Sequence, residues 1–342
     1  MLKKKTILIT GATFGIGYEL AKRFARDGDQ LVLVARSEAR LAEVSAELSA
    51  SGAATAISLV KDLANPAAPE EIFQAVAGKG LEIDLLVNNA GFGDHGAFLN
   101  TEWKKNADMV QVNITSLLHL TRLFLPGMTE RGRGRILNVA STAAFQPGPY
   151  MAIYYASKAF VLSFSEALSE ECRGTGVTVT ALCPGPTATE FQVRAGTEGT
   201  GVGRTKRGPL KMMSAGEVAE MGYRGVLAGR RVVITGAFNR IGAWSGRHLP
   251  RRLIMKTIKQ LHRKRSAVAL LLSALLAAFS PAAGAAGEPP AVLREMRGVW
   301  VATVANIDWP SRPGLPVEEQ QTEAMAILDR VQALRMNAVV LQ

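Results

Sequence analysis

Cysteine is nearly absent from this chain. The two that occur, Cys172 and Cys183, have no CxxC or closely spaced histidine neighbours, which excludes a disulfide framework or thiolate metal cluster and fits a reducing compartment for the first part. Histidine is scarce as well: among the four present, His95 and His119 stand at no useful ligand spacing, so no metal site is expected. Acidic residues are missing from one long stretch. Between Arg224 and Arg265 lie twelve Lys and Arg and no Asp or Glu, and without that stretch the formal charge of +11 falls to −1. The basicity therefore belongs to one segment and is no property of the whole protein. No nucleic-acid motif accompanies it, so nucleic acid is not an expected partner. The apolar stretch that follows at once makes a membrane surface the functional alternative to a solvated face.

What is present is alternation. At 342 residues the chain exceeds a typical single domain, so one large α/β domain plus something extra is expected. Short apolar runs at Ile7–Thr10, Leu31–Ala35, Ala54–Leu59, Ile83–Asn88, Arg135–Ala140 and Val177–Cys183 alternate with amphipathic helical stretches, the pattern of βαβ units. A seventh strand, Arg231–Thr235, follows a helix that Ser214 and Glu217 can start with a capping box. The expected fold is a Rossmann-type doubly wound parallel sheet of seven strands flanked by helices, spanning 1–254. From Pro184 to Met213 the sequence is aperiodic and rich in Gly, Thr, Pro and basic residues, read either as a lid over substrate or as a surface connection.

Gly11, Gly15 and Gly17 in TGATFGIG lie between the first strand and the first helix. Without Cβ atoms they let backbone approach a pyrophosphate, while the helix N-terminus offers unpaired N–H groups and a favourable dipole. The second strand ends at Ala35 and Arg36, where an acid would otherwise accept hydrogen bonds from a free ribose. A guanidinium there pairs with a 2′-phosphate, so NADP(H) is expected over NAD. Asp62, after the third strand, has two readings: a partner for the adenine amino group, or a cap for the following helix.

Tyr154 and Lys158 in YYASK stand four residues apart, side by side on a helix. With NNAG at Asn88–Gly91, Asn113 in a helix, Ser141 after an apolar strand and PG followed by Thr187, the chain resembles the short-chain dehydrogenase/reductase family over about residues 3–262. The resemblance implies an oxidoreductase that interconverts a carbonyl and an alcohol. Tyr154 would then be the proton donor and acceptor, with Lys158 lowering its pKa and bonding the nicotinamide ribose. Ser141 would stabilise charge on the substrate oxygen, and Asn113 would hold a water that links Lys158 to solvent. The cofactor contacts it implies are Gly11, Thr13, Gly15, Ile16, Gly17, Arg36, Asp62, Leu63, Asn89, Ala90, Gly91, Tyr154, Lys158, Pro184, Gly185 and Thr187. Tyr155 is the rival to Tyr154, which the family pattern selects, and Phe92, Phe145, Tyr150 and Met151 suggest an apolar pocket for a small-molecule substrate. A homodimer or homotetramer and a cytoplasmic location for this domain also follow from the family alone.

A different kind of sequence starts near Met255. Basic residues precede an apolar run from Ala267 to Phe279 and small residues through Gly287, the layout of a signal peptide, so 255–287 is read as a signal-peptide-like segment, with membrane association through 255–286 as an open alternative. Residues 288–342 resemble the truncated start of a bacterial glycosyl-hydrolase-like β/α barrel. Strands are expected at Met296–Val304 and Ala338–Gln342, with a helix at Val317–Leu334 between them. Asp308 and Trp309 are read there as a loop acid beside a packed aromatic. A gene fusion or misplaced reading frame and a membrane-tethered reductase both account for this layout.

Overall fold

The computed structural model describes residues 4–198, 200–201, 212–262, 298–301, 315–333 and 338–341. They fall into two units, Met1–Ala274 and Leu275–Gln342. In the first, β1 (Thr6–Thr10), α1 (Gly15–Arg26), β2 (Gln30–Ala35), α2 (Glu38–Ala50), β3 (Thr55–Val60), α3 (Ala68–Ala77) and β4 (Leu85–Asn88) are followed by α4 (Trp103–Val110) and α5 (Ser116–Glu130). Then come β5 (Gly134–Val139), α6 (Ala152–Glu171), β6 (Val177–Cys183), β7 (Thr187–Ala188), α7 (Phe191–Arg194), β8 (Met213–Ser214), α8 (Ala215–Leu227), β9 (Val232–Ile234), α9 (Ala237–His248) and α10 (Arg251–His262). The main sheet has seven strands in the order β3-β2-β1-β4-β5-β6-β9, all parallel, with Leu8 opposite Val32 and Leu86. All seven main strands expected from the sequence are present.

Because side chains alternate across a strand, each strand feeds two cores. Ile7 and Ile9 point to a layer with Leu20 and Phe24 of α1, Leu41 and Leu48 of α2, and Val218 and Val226 of α8. Leu8 points the other way, to Ile72 of α3, Leu120, Phe124 and Met128 of α5, and Leu168 of α6. Strands buried on both faces read as continuous apolar runs, which is why the sheet was readable. The strand order reverses between β1 and β4, so their carboxyl ends diverge around a crevice, where such sheets bind ligands.

Ser214 caps α8 as expected: its hydroxyl accepts from the Glu217 N–H at 3.2 Å, while the Glu217 carboxylate accepts from the Ser214 N–H at 2.7 Å. Ser214→Ala should lower stability by about 1 kcal/mol. Urea denaturation checks this, and a loss under a few tenths of a kcal/mol would show the cap to be idle. The aperiodic stretch after β6 is pinned at both ends by the parallel pairing of β7 with β8.

The helix α10 runs through 254/255, where the sequence reading ends the first domain. It packs on that domain by Ile254, Ile258 and His262, all buried at four-residue spacing, in a cluster with Met151 and Tyr155. In the second unit, β10 (Gly298–Val301) and β11 (Ala338–Leu341) pair in parallel, and α11 (Val317–Ala333) lies between them in sequence. The strand, helix, strand order expected there is present. The apolar run 267–279 and the residues Asp308 and Trp309 lie outside the described residues. Among the described residues, no helix is long and apolar enough to cross a membrane.

Candidate functional site

The site gathers at the carboxyl ends of β1, β4, β5 and β6. The turn after β1 holds Gly11 at φ 64° and Gly15 at φ 57°, a left-handed backbone that glycine adopts without strain. A Cβ on Gly17 would run into the Asn89 amide and the Gly11 carbonyl, so that position admits only hydrogen. Asn89 is the brace: its side-chain N–H groups donate to the carbonyls of Thr10 (2.9 Å) and Gly11 (3.0 Å). The Thr10 hydroxyl accepts from the N–H groups of Asn89 and Ala90, each at 3.0 Å. The NNAG turn thus shapes the glycine turn through Asn89. Asn88 is turned inward instead, donating to Thr121 and Asn138 beneath the sheet. Phe14, at the N-cap of α1, places no side-chain acceptor on the first N–H groups of that helix. A glycine cradle and uncapped donors at a helix start fit a dinucleotide's pyrophosphate.

At the rim, Arg36 Nη1 lies 3.8 Å from Asp62 Oδ2, with both side chains largely exposed. Asp62 Oδ1 also accepts from Ala64 N–H at 3.0 Å in a turn before α3, but the N-cap of that helix is Ala67 with no side-chain cap, so Asp62 does not cap it. Leu63 is buried, and its carbonyl accepts from the Ser116 hydroxyl at 2.7 Å. Thr13 and Thr187 are buried as well, and Thr187 donates to the Gly185 carbonyl at 2.9 Å.

Asn113 sits in a π-helical turn, Gln111–Thr115, between α4 and α5. That local widening, common at functional sites, presents its amide to the backbone after β4. Its nitrogen donates to the Phe92 carbonyl (3.0 Å) and the Ser157 hydroxyl (3.0 Å), and its oxygen accepts from Phe92 N–H (3.1 Å). Gly91 lies between Asn113 and Lys158: a Cβ there would stand 3.0 Å from Asn113 Oδ1 and 3.3 Å from Lys158 Nζ. Ser141, at the end of β5, lies close enough to the Tyr154 phenol to lower its pKa, and donates to the Pro184 carbonyl at 3.4 Å. Lys158 Nζ donates to the Val139 carbonyl at 2.8 Å and stands 5.9 Å from the centroid of the Tyr154 ring. The structure therefore brings Asn113, Ser141, Tyr154 and Lys158 around one point.

The electrostatics depart from expectation in one respect. Instead of being lowered by Lys158, the Tyr154 phenol is pushed up to about 12 by burial, with the nearby Ser141 hydroxyl acting in the opposite direction. Burial also pushes Lys158 down to about 8, and Cys183 counters this weakly. The reason is desolvation: Lys158 is buried and Tyr154 is partly buried at a cavity wall, and each is driven toward its neutral form. A tyrosine held neutral keeps its proton at physiological pH and can donate it.

Tyr155, the rival, faces the other way. Its hydroxyl is hydrogen-bonded to His262 Nε2 at 2.8 Å, and burial raises its phenol further still. His262, buried, is pushed down to about 4 by burial and then by the neighbouring His95. Sequence reasoning missed His262, and it missed Phe191, whose ring packs 5.3 Å from that of Tyr154. It also missed Tyr150 as a strained position: at φ 68° it is the sole non-glycine with positive φ among the described residues, and its carbonyl accepts from Gly96 N–H at 2.9 Å. Of the four residues expected to form an apolar pocket, Tyr150 and Met151 line a cavity with Tyr154, whereas Phe92 and Phe145 pack in separate core clusters. His95 and His119 join no cluster of potential metal ligands among the described residues.

With this geometry in view, comparison with known proteins is informative. The family model described as short chain dehydrogenase matches residues 5–198. The ketoacyl reductase HetN of Nostoc sp. is 36% identical over 184 residues, which is 54% of this chain and 64% of that protein, so this chain spans just under two thirds of its length. A short-chain dehydrogenase from Sphingobium yanoikuyae, solved in complex with NADPH, superposes with a TM-score of 0.62 at 30% identity, covering 82% of this chain and 98% of that one. A 3-ketoacyl-(acyl-carrier-protein) reductase from Brucella melitensis, complexed with NADH, gives 0.61 at 29% identity over 69% of this chain and 98% of that one.

Proposed function

The chain belongs to the short-chain dehydrogenase family, and from that premise we propose that it is an NADP(H)-dependent oxidoreductase interconverting a carbonyl and an alcohol. The observation that carries the reading is the meeting of Tyr154 with Ser141 in a buried pocket that Lys158 and Asn113 share. The bound nicotinamide supplies or accepts hydride; the protein's own residues manage the oxygen and the proton. Ser141 and Tyr154 hydrogen-bond the substrate oxygen, and Tyr154 delivers its proton as charge builds there. Lys158, near neutrality in the pocket, is placed to restore the tyrosine proton, and Asn113 holds the backbone of Phe92 in position beside it. Gly11, Gly15 and Gly17, with the start of α1, would hold the pyrophosphate, and Gly91, Pro184, Gly185 and Thr187 would flank the nicotinamide.

NADP over NAD rests on Arg36 and on the absence of an acid at Ala35. Arg36→Ala should lower kcat/KM for NADPH about ten- to a hundredfold, as the loss of a charge-assisted hydrogen bond does, with little change for NADH. Steady-state kinetics with both cofactors checks this, and an unchanged NADPH/NADH ratio would return Arg36 to the solvated surface. The overall reading is tested by NADPH oxidation with the full chain across a panel of ketones and oxoacyl thioesters. Absence of NADPH binding would overturn it. Assembly as a homodimer or homotetramer, and the joining of a reductase to a segment of a second protein beyond 287, are further parts of the proposal. Sedimentation and intact mass test them.

A further inference from the structure

We propose that Lys256 and Lys259 form an anion-recognising rim on the substrate side of the site, so that the preferred carbonyl substrates carry a phosphate or carboxylate beyond an apolar linker. The inference rests on the reading of Tyr154 as the group that meets the carbonyl. Both lysines lie on α10, which is held over the site by its buried residues Ile254, Ile258 and His262. Its end is fastened twice: Tyr155 bonds the His262 ring, and His95 Nε2 bonds the His262 carbonyl at 2.8 Å. With that face down, the next face of the helix, Met255, Lys256 and Lys259, lines an open groove of about 530 Å³ together with Phe98 and Tyr150. Phe98 and Tyr150 also line the smaller cavity whose wall includes Tyr154, so the groove adjoins the reacting end.

Two features carry the inference beyond a solvated helix face. Neither lysine forms an ion pair or hydrogen bond among the described residues, whereas Asp94, an acid lining the inner cavity, is held by Lys105 at 2.5 Å. Among the described residues, no acid therefore pairs with either lysine at the groove's outer end. Finally, the groove floor is apolar, with Phe98 and Met255 exposed, so the site pairs an apolar track with a cationic end. A flexible ammonium suits a terminal phosphate or carboxylate as a point charge.

The test uses the full chain and 3-oxo thioesters of matched length that end in pantetheine 4′-phosphate, in a carboxylate, or in uncharged pantetheine. Wild type should favour the charged tails about five- to tenfold in kcat/KM, the scale of two exposed charge pairs. The preference should shrink with added salt and collapse in the Lys256→Ala/Lys259→Ala variant through a rise in KM for the charged tails. Comparing phosphate with carboxylate distinguishes the two anion sources. Equal kcat/KM for charged and neutral tails, or a preference that survives the double substitution, would overturn the proposal. If none of the three thioesters supports NADPH oxidation, the reductase reading is decided separately by NADPH binding and the ketone panel. The rim is then tested by calorimetric binding of pantetheine 4′-phosphate to NADPH-saturated protein. Binding lost in the double variant supports the rim, and no binding to wild type refutes it.

Discussion

Tyr154→Phe is expected to reduce NADPH-linked carbonyl reduction about a hundred- to ten-thousandfold, the range associated with losing a positioned acid, while leaving the fold and NADPH binding in place. The substitution removes one hydroxyl and its contact with Ser141, a stability change of about 1 kcal/mol. The informative control is the neighbouring tyrosine. Tyr155→Phe breaks the bond to His262 Nε2 and frees a buried imidazole whose Nδ1 already has no partner, so it should lower stability by about 1–3 kcal/mol and change turnover far less. Stopped-flow or steady-state absorbance at saturating NADPH, paired with thermal melts, separates the two. If Tyr155→Phe abolished turnover and Tyr154→Phe did not, the assignment would reverse, and with it the role of Ser141, which acts on only the first of the pair.

How far these positions were legible depends on where their signal lies. The central strands of the main sheet were legible because they are buried on both faces, and an apolar run with a turn after it leaves few alternatives. The α8 start was legible because Ser214 and Glu217 sit at the spacing the backbone requires. Asn113, Ser141, Tyr154 and Lys158 were named through a family pattern, and the fold then brings Asn113 and Lys158 to either side of Gly91. Less visible was anything set by distant packing. The π-turn that carries Asn113 has no composition signature, and the strained backbone of Tyr150 depends on the Gly96 contact. α10 shows how composition misleads. Its many basic residues and the apolar run beyond made it look like the start of a separate segment, yet Ile254, Ile258 and His262 repeat every fourth residue, and that repeat is what packs. The pKa of Tyr154 was misjudged for a related reason. Pairwise charge can be read from spacing, whereas desolvation depends on every chain that closes the pocket.

That desolvation predicts a conflict between stability and activity at Lys158. Lys158→Met should abolish turnover and at the same time make the protein more stable at neutral pH. Burial lowers this ammonium from 10.5 to about 8, which corresponds to a cost of about 3 kcal/mol for holding it charged at pH 7. Methionine fills similar space without charge, though it leaves the Val139 carbonyl without its donor, a loss of about 1 kcal/mol. The net expected gain is about 2 kcal/mol. Its pH dependence follows from proton counting. Below about pH 8 the lysine is charged in both folded and unfolded chains, and the full cost is present. Between about 8 and 10.5 the unfolded chain binds the extra proton, so wild-type stability rises with pH and the advantage of methionine shrinks, by about 2 kcal/mol at pH 9.5. Tyr154 and Cys183, both raised to about 12 by burial, act in the opposite direction above their ordinary values, but their contributions are shared by both proteins and largely cancel in the comparison. Urea denaturation of the two proteins at pH 7 and 9.5 measures it. A variant less stable than wild type at pH 7, or a gap that does not narrow with pH, would mean that the lysine is already solvated or paired in the folded chain. The pocket would then lack the dry electrostatics from which the tyrosine's role as donor has been argued.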